Sequence, residues 1–191
     1  MNKSIKQIAV GAVCAVSVIV GKVYTDHADG LVISKQGAQL AGNEEGCRRV
    51  PYRCSAHVLS FGIGAAVTGG TMILENKRYT DDEIAEQYAK DLKKAGDCIM
   101  LYFNGAEMNQ NQIDALGSVV HNLGCGGARY YYDKKSGKRL KTQLYKAALD
   151  KDFVRMCNTF TNYANVNGKP LPSLLKRRLR ERDLCLTPVS N

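Results

Sequence analysis

Five side chains able to do chemistry lie within seventeen residues of the 191-residue chain: Glu44, Glu45, Cys47, Cys54 and Ser60. A carboxyl group among them can act as a general acid if a partly apolar pocket favours its protonated form. On composition alone, the simpler reading of either glutamate is a helix-surface residue. Seven cysteines, Cys14, Cys47, Cys54, Cys98, Cys125, Cys157 and Cys185, occur without any CxxC spacing. Disulfides in an oxidising compartment are therefore expected, not a zinc site. Seven is odd, so a fully oxidised monomer leaves one thiol unpaired. His121 reads as a helix residue, and His27 and His57 as surface or loop, with no paired ligand spacing among them. With no GxSxG elbow, phosphate loop or dinucleotide fingerprint either, neither metal nor cofactor is expected.

The net charge of +9 points to an anionic partner: nucleic acid, acidic lipid or cell wall. The longest basic run, Lys176 to Arg182, is interrupted by Leu179 and Glu181 and followed by Asp183, which suits a solvated helix face. No aromatics are interleaved there for base stacking, so no nucleic-acid partner is expected.

The elements that must position these groups begin with a segment that decides the compartment. Between Lys6 and Lys22 lie fifteen uncharged residues, seven of them Val or Ile and the other eight Gln, Gly, Ala, Ser or Cys. A transmembrane helix wants about 20 mainly apolar residues, so this one spans only by thinning the bilayer or snorkelling Lys22. Lys3 and Lys6 place its N-terminus in the cytoplasm and the rest of the chain outside it. A cleaved signal peptide is the alternative. The small-residue triplet Ala15-Val16-Ser17 lies inside the apolar core instead of after it, which favours a retained anchor.

From Asp26 to Gly42 the pattern is a polar linker entering a short helix near Val32 to Leu40. Ser55 to Gly70 reads as short strands or a hairpin. Thr80 and Glu83 form a capping box, and Ile84, Tyr88, Leu92 and Ala95 continue one helical face. Ile113 to Leu123 reads as a second helix ending at Gly124. Leu140, Leu144 and Ala148 suggest a third, Phe153 to Phe160 a fourth and Pro172 to Leu184 the last, after an Asn167-Gly168 turn. A small β-containing part followed by helices is an α+β arrangement.

Glu45-Gly46-Cys47-Arg48-Arg49, Pro51-Tyr52, Ser60 and Gly62-Ile63-Gly64 together resemble the active-site signature of the phage lysozymes of glycoside hydrolase family 24. Gln112-Ile113-Asp114-Ala115-Leu116 with Asn122-Leu123-Gly124 resembles the family's central helix. Leu174 to Leu186, with Arg177, Arg178 and Glu181, resembles its last. The resemblance spans about residues 32 to 186. It implies a phage-lysozyme-like fold, with a small β-containing N-terminal lobe and a larger helical C-terminal lobe. It also implies a muramidase that cuts the β-1,4 bond between N-acetylmuramic acid and N-acetylglucosamine. Glu45 would protonate the glycosidic oxygen. Cys54 stands where the family usually has an Asp, and Ser60 where it has a Thr that helps place water. A thiolate at Cys54 could stabilise the oxocarbenium-like state, orient water or attack the sugar, so the stereochemical outcome stays open. Ala65-Ala66 replaces a common His-Thr, and His57 stands at a common turn Gly.

Within the family, the signal-anchor-release endolysins are similar in having a Cys in a weak N-terminal anchor, a Cys two residues after the catalytic Glu and a Cys at the Asp position. Cys14, Cys47 and Cys54 match these. That resemblance implies a Cys47–Cys54 bridge that blocks the site in the membrane-bound form. On release, Cys14 attacks it, forms Cys14–Cys47 and frees Cys54. A permanent Cys47–Cys54 bridge is the other reading, and it leaves Cys14 without a role. The remaining four cysteines allow three pairings, of which the family's helix placement implies Cys98–Cys125 and Cys157–Cys185.

The expected organisation is thus a transmembrane segment over 1-24, anchored in the host inner membrane through residues 7-23, and a catalytic domain over 25-191. The export machinery would carry that domain into the periplasm, where it acts as a monomer on peptidoglycan during host lysis. The rival is a membrane-tethered wall-binding protein that has lost catalysis, motivated by Cys54 and the missing His-Thr.

Overall fold

The computed structural model describes residues 12–53, 57–166 and 168–189. The chain divides into two compact units, one including Gly42–Asp91 and the residues up to Leu31, the other Val32–Ala41 and Leu92–Asn191.

The first unit is built on a three-stranded antiparallel sheet, β1 (Arg48–Arg53), β2 (Leu59–Gly62) and β3 (Ala65–Ala66), in that order. Helix α1 (Val16–Asp26) belongs to this unit and buries Ile19, Val20 and Val23 completely. Those are three of the branched apolar residues of the expected anchor, and here protein covers them, while Val13 and Val18 stay exposed. Ahead of α1, Val13 forms an antiparallel bridge to Arg48. Among the described residues, no helix is long and apolar enough to cross a membrane. Phe61 stacks on Tyr79 with ring centroids 3.8 Å apart, closing the sheet over its small core.

Helix α2 (Lys35–Glu45) runs past the expected Leu40 to reach Glu45. Helix α3 (Asp81–Tyr102) starts at the predicted capping box. The Glu83 carboxylate accepts from Thr80 N at 2.9 Å, and Glu83 N donates to Thr80 Oγ1 at 3.2 Å. Two donors that the first helical turn cannot satisfy internally are paired in this way.

The second unit centres on α4 (Gln110–Arg129), which buries Ile113 through Val120 and opens with a capping box between Asn109 and Gln112. Gly124 breaks it as expected, leaving helical geometry with φ +71° and ψ 154°, and a second short helical run continues beyond the kink to Arg129. A hairpin follows that the sequence pattern did not suggest, β4 (Tyr130–Asp133) with β5 (Lys138–Lys141). Leu140 therefore sits in a strand, and the third helix is the shorter α5 (Gln143–Leu149). Thr142 sets that start: its hydroxyl accepts from Tyr145 N at 3.0 Å and donates to Ala128 O at 2.6 Å. Helix α6 (Phe153–Asn158) continues as a 3-10 turn over Thr159–Tyr163. A two-residue ladder, β6 (Asn165–Val166) with β7 (Lys169–Pro170), precedes α7 (Pro172–Leu186). Of the expected Asn167-Gly168 turn, Asn167 lies outside the described residues.

Helix α7 corrects the reading of Lys176 to Arg182 as a solvated face. Arg177, Arg178 and Glu181 are buried, while Leu175 is exposed. The Glu181 carboxylate accepts from Arg177 Nε at 3.0 Å, Arg178 Nη1 at 2.5 Å and Ser118 Oγ of α4 at 2.5 Å. Arg178 also reaches Asn122 Oδ1, and Arg177 Nη2 donates to the Ser118 carbonyl at 3.3 Å. Such a network tolerates burial because every charge meets an opposite charge or a dipole. Two disulfides, Cys98–Cys125 and Cys157–Cys185, cross-link this unit with Cα separations of 5.9 and 5.7 Å.

Candidate active site

Glu45 is the last residue of α2, and the chain turns at once because Gly46 adopts a φ of +71°. That left-handed residue closes the helix, with Gly46 N donating to Gly42 O at 2.9 Å. Cys47 follows, and β1 begins at Arg48. The helix end thus delivers a half-buried carboxyl group to the edge of the sheet.

The Gly62-Ile63-Gly64 turn between β2 and β3 meets that carboxyl. Gly64 has a φ of +72°, and a Cβ placed on it would stand 3.1 Å from Glu45 Oε2 and 3.2 Å from Glu45 Cγ. Only glycine lets the backbone come so close to the acid. Ser60, in β2 of the same hairpin, lies opposite Tyr52 of β1 and Ala66 of β3. It is buried, and its hydroxyl donates to Val58 O at 3.3 Å. A hydroxyl that spends its proton in this way still has an acceptor oxygen to offer a water. The family-based glutamate and serine therefore stand on neighbouring elements of one unit. Cys54, between β1 and β2, lies outside the described residues.

Cys47 is bonded to Cys14, with a Cα separation of 5.1 Å. The sulfur bond is accompanied by a backbone one, Cys14 N to Cys47 O at 3.2 Å. Arg49 adds a clamp. Its Nε and Nη2 reach the two carboxylate oxygens of Asp81 at 2.9 and 3.0 Å, and its Nη1 donates to the carbonyl of Val13. A bidentate pair of this kind fixes the guanidinium's direction, so the backbone just before Cys14 is held against the start of β1. Lys22 of α1 pairs with Asp82. Close backbone packing completes the dock: a Cβ on Gly42 would lie 2.6 Å from Val16 Cγ1.

Arg49 and Gly64 fall within the motifs that resemble the family signature, but the sequence reading gave neither a contact of its own, and it did not single out Asp81. Gly64 was visible within its Gly-Ile-Gly motif. The Arg49–Asp81 pair, thirty-two residues apart, left no periodic signal. On the face of β1 and β2, Pro51, Tyr52, Leu59 and Asn76 line an open depression together with Arg53 and Glu75, which pair at 3.0 Å. Among the described residues, no group of three or more His, Cys, Asp or Glu could hold a metal ion.

Comparison with known proteins bears on the family and the fold. The phage lysozyme family profile matches residues 42–181. The SAR-endolysin of Escherichia phage P1 is 41% identical over 189 residues, which is 95% of this chain and 95% of that protein. The crystal structure of the active form of P1 phage endolysin Lyz superposes with a TM-score of 0.83 at 38% identity, covering 92% of this chain and 95% of that one. Its secreted inactive form gives a TM-score of 0.59 at 40% identity, covering 81% and 95%.

Proposed function

The chain belongs to the phage lysozyme family, and on that premise we propose that it is an endolysin, a muramidase that hydrolyses the β-1,4 bond between N-acetylmuramic acid and N-acetylglucosamine in peptidoglycan during host lysis. The observation that carries the reading is the Glu45 carboxyl delivered by the end of α2 against the Gly64 backbone. Glu45 gives its proton to the glycosidic oxygen as the C1–O bond breaks and positive charge grows on the sugar ring. A water adds to C1 and gives up a proton, which solvent returns to the Glu45 carboxylate, and Ser60 and Cys54 are the groups assigned to place that water or to stabilise the ring.

The same reading extends to regulation. The chain is exported with residues 1-24 as a membrane anchor, N-terminus in the cytoplasm, and residues 25-191 as the catalytic domain in the periplasm. A Cys47–Cys54 bridge keeps the anchored form inactive. After release into the periplasm, the Cys14 thiolate attacks Cys47 Sγ, the Cys47–Cys54 bond breaks, and Cys54 departs as a thiolate that takes a proton from solvent. No external oxidant is needed. Burial of Ile19, Val20 and Val23 in the first unit supports the scheme, because three such side chains recover on the order of 5 kcal/mol that exposure to water would forfeit. Membrane exit is then offset by a place in the protein. Cys98–Cys125 and Cys157–Cys185 are structural, and the released enzyme acts as a monomer.

The test uses the full-length released protein on purified peptidoglycan. Glu45→Gln is expected to abolish clearing, a loss of roughly a thousandfold or more for a general acid. Wild-type protein that binds peptidoglycan without clearing it would overturn the assignment.

A further inference from the structure

Twelve residues of the second unit, Tyr130 to Lys141, carry Lys134, Lys135, Lys138, Arg139 and Lys141 against the single carboxylate of Asp133. Five cations less one anion is +4, close to half of the chain's net +9. Asp133 is committed to the turn, where it accepts from Ser136 N at 3.1 Å and Ser136 Oγ at 2.6 Å. Those bonds hold its carboxyl below the usual range, so it stays ionised and engaged there.

The hairpin also exposes aromatic rings that do no core work. Tyr131 is 50% exposed and Tyr132 66%, whereas Tyr130 packs at the base beside Tyr145 with ring centroids 5.6 Å apart. The register pairs Tyr131 with Leu140 and Tyr132 with Arg139. Directly paired residues share a face of a ribbon and successive ones alternate, so the two exposed tyrosines point to opposite sides. Arg139 lies over the Tyr130 ring at 4.4 Å from its centroid, stiffening the base.

We propose that this hairpin is a second binding site, outside the unit that carries Glu45, for the anionic glycan–peptide polymer of the cell wall. The inference rests on the peptidoglycan reading above. Tyrosine faces stack on sugar rings, and the lysines meet the free carboxylates of the stem peptides. A bilayer is the poorer fit for two reasons. A planar surface meets only one side of a ribbon, and this ribbon has a tyrosine on each. Insertion also wants an aliphatic cluster, and Leu140 is the only aliphatic residue among the twelve. A porous polymer can reach both faces and the charged tip together.

The experiment measures co-sedimentation of the full-length released protein, made uncleaving by Glu45→Gln, with purified peptidoglycan sacculi. Vesicles rich in phosphatidylglycerol form the second arm. The set Lys134→Gln, Lys135→Gln, Lys138→Gln and Lys141→Gln, and separately Tyr131→Ala with Tyr132→Ala, should each weaken sacculus binding roughly tenfold, the lysine effect shrinking as salt rises. All six side chains are exposed, and an unchanged melting temperature checks the fold. In the Glu45-intact enzyme, the same variants should raise KM on sacculi and leave turnover of short soluble glycan fragments unchanged. Sacculus binding that is indifferent to both sets overturns the proposal, as does hairpin-dependent binding to vesicles alone. If the Glu45-intact enzyme cleaves neither substrate, the muramidase reading fails, while the sedimentation result still decides the binding site.

Discussion

In the first unit, Cys14–Cys47 is accompanied by a backbone hydrogen bond, a bridge at Val13 and a half-buried clamp of Arg49 on Asp81. In the second, two disulfides stand with a network in which Glu181 and Arg178 have no exposed side-chain surface at all. Contacts of the first kind can be made after the rest of the unit has folded, because partly hydrated groups exchange water for partners at little cost. Contacts of the second kind must form with the core, since a lone buried charge is prohibitive. The difference fits the proposal that sulfur bonds exchange partners in the first unit and only hold in the second.

The largest expected break in that comparison comes from Cys14→Ser. Cells making this variant should fail to lyse, and its disulfide map should show Cys47 still joined to Cys54. Normal lysis by Cys14→Ser would remove the exchange scheme. Next is Glu181→Gln, which leaves Arg177 and Arg178 buried beside a neutral amide. We expect a loss of about 3–5 kcal/mol, read as a melting temperature lower by roughly 10 °C, with the Cys14–Cys47 bond still formed. A shift under two degrees would mean that solvent already reaches the network. The smallest effect is expected from Arg49→Ala. Removing the partly exposed clamp should cost about 1 kcal/mol and slow formation of Cys14–Cys47 a few-fold, as followed by timed alkylation. Turnover by protein already carrying that bond should be unchanged. If turnover fell with it, Arg49 would be serving the catalytic site directly.

The parts of the fold legible in the sequence were those written in short range. Thr80 with Glu83 announced the start of α3, because a capping box is complete within four residues. The Glu45-Gly46 helix end was not read in that way, since the expected helix stopped near Leu40 and the chain continues it to Glu45. Leu140 misled, since it shares a helical spacing with Leu144 and Ala148. Thr142, bonded to Ala128 O, instead starts the helix two residues later. The charges of α7 misled most. Periodicity assigns Arg177, Arg178 and Glu181 to solvent, and partners elsewhere in the chain, Ser118 and Asn122 some sixty residues away and the carbonyl of Tyr163, accompany their burial.

By itself, the sequence determined that a Glu-Gly pair would sit among cysteines of odd number, behind a weakly apolar segment with a basic start. These are matters of residue type and local order, which hold whatever the chain does next. Tertiary structure alone decided that the Gly64 backbone lies against the Glu45 carboxyl, that Ile19, Val20 and Val23 are covered by protein, and that Arg49 holds the chain before Cys14. Each depends on groups brought together across many residues, and such proximity exists only once the chain has folded.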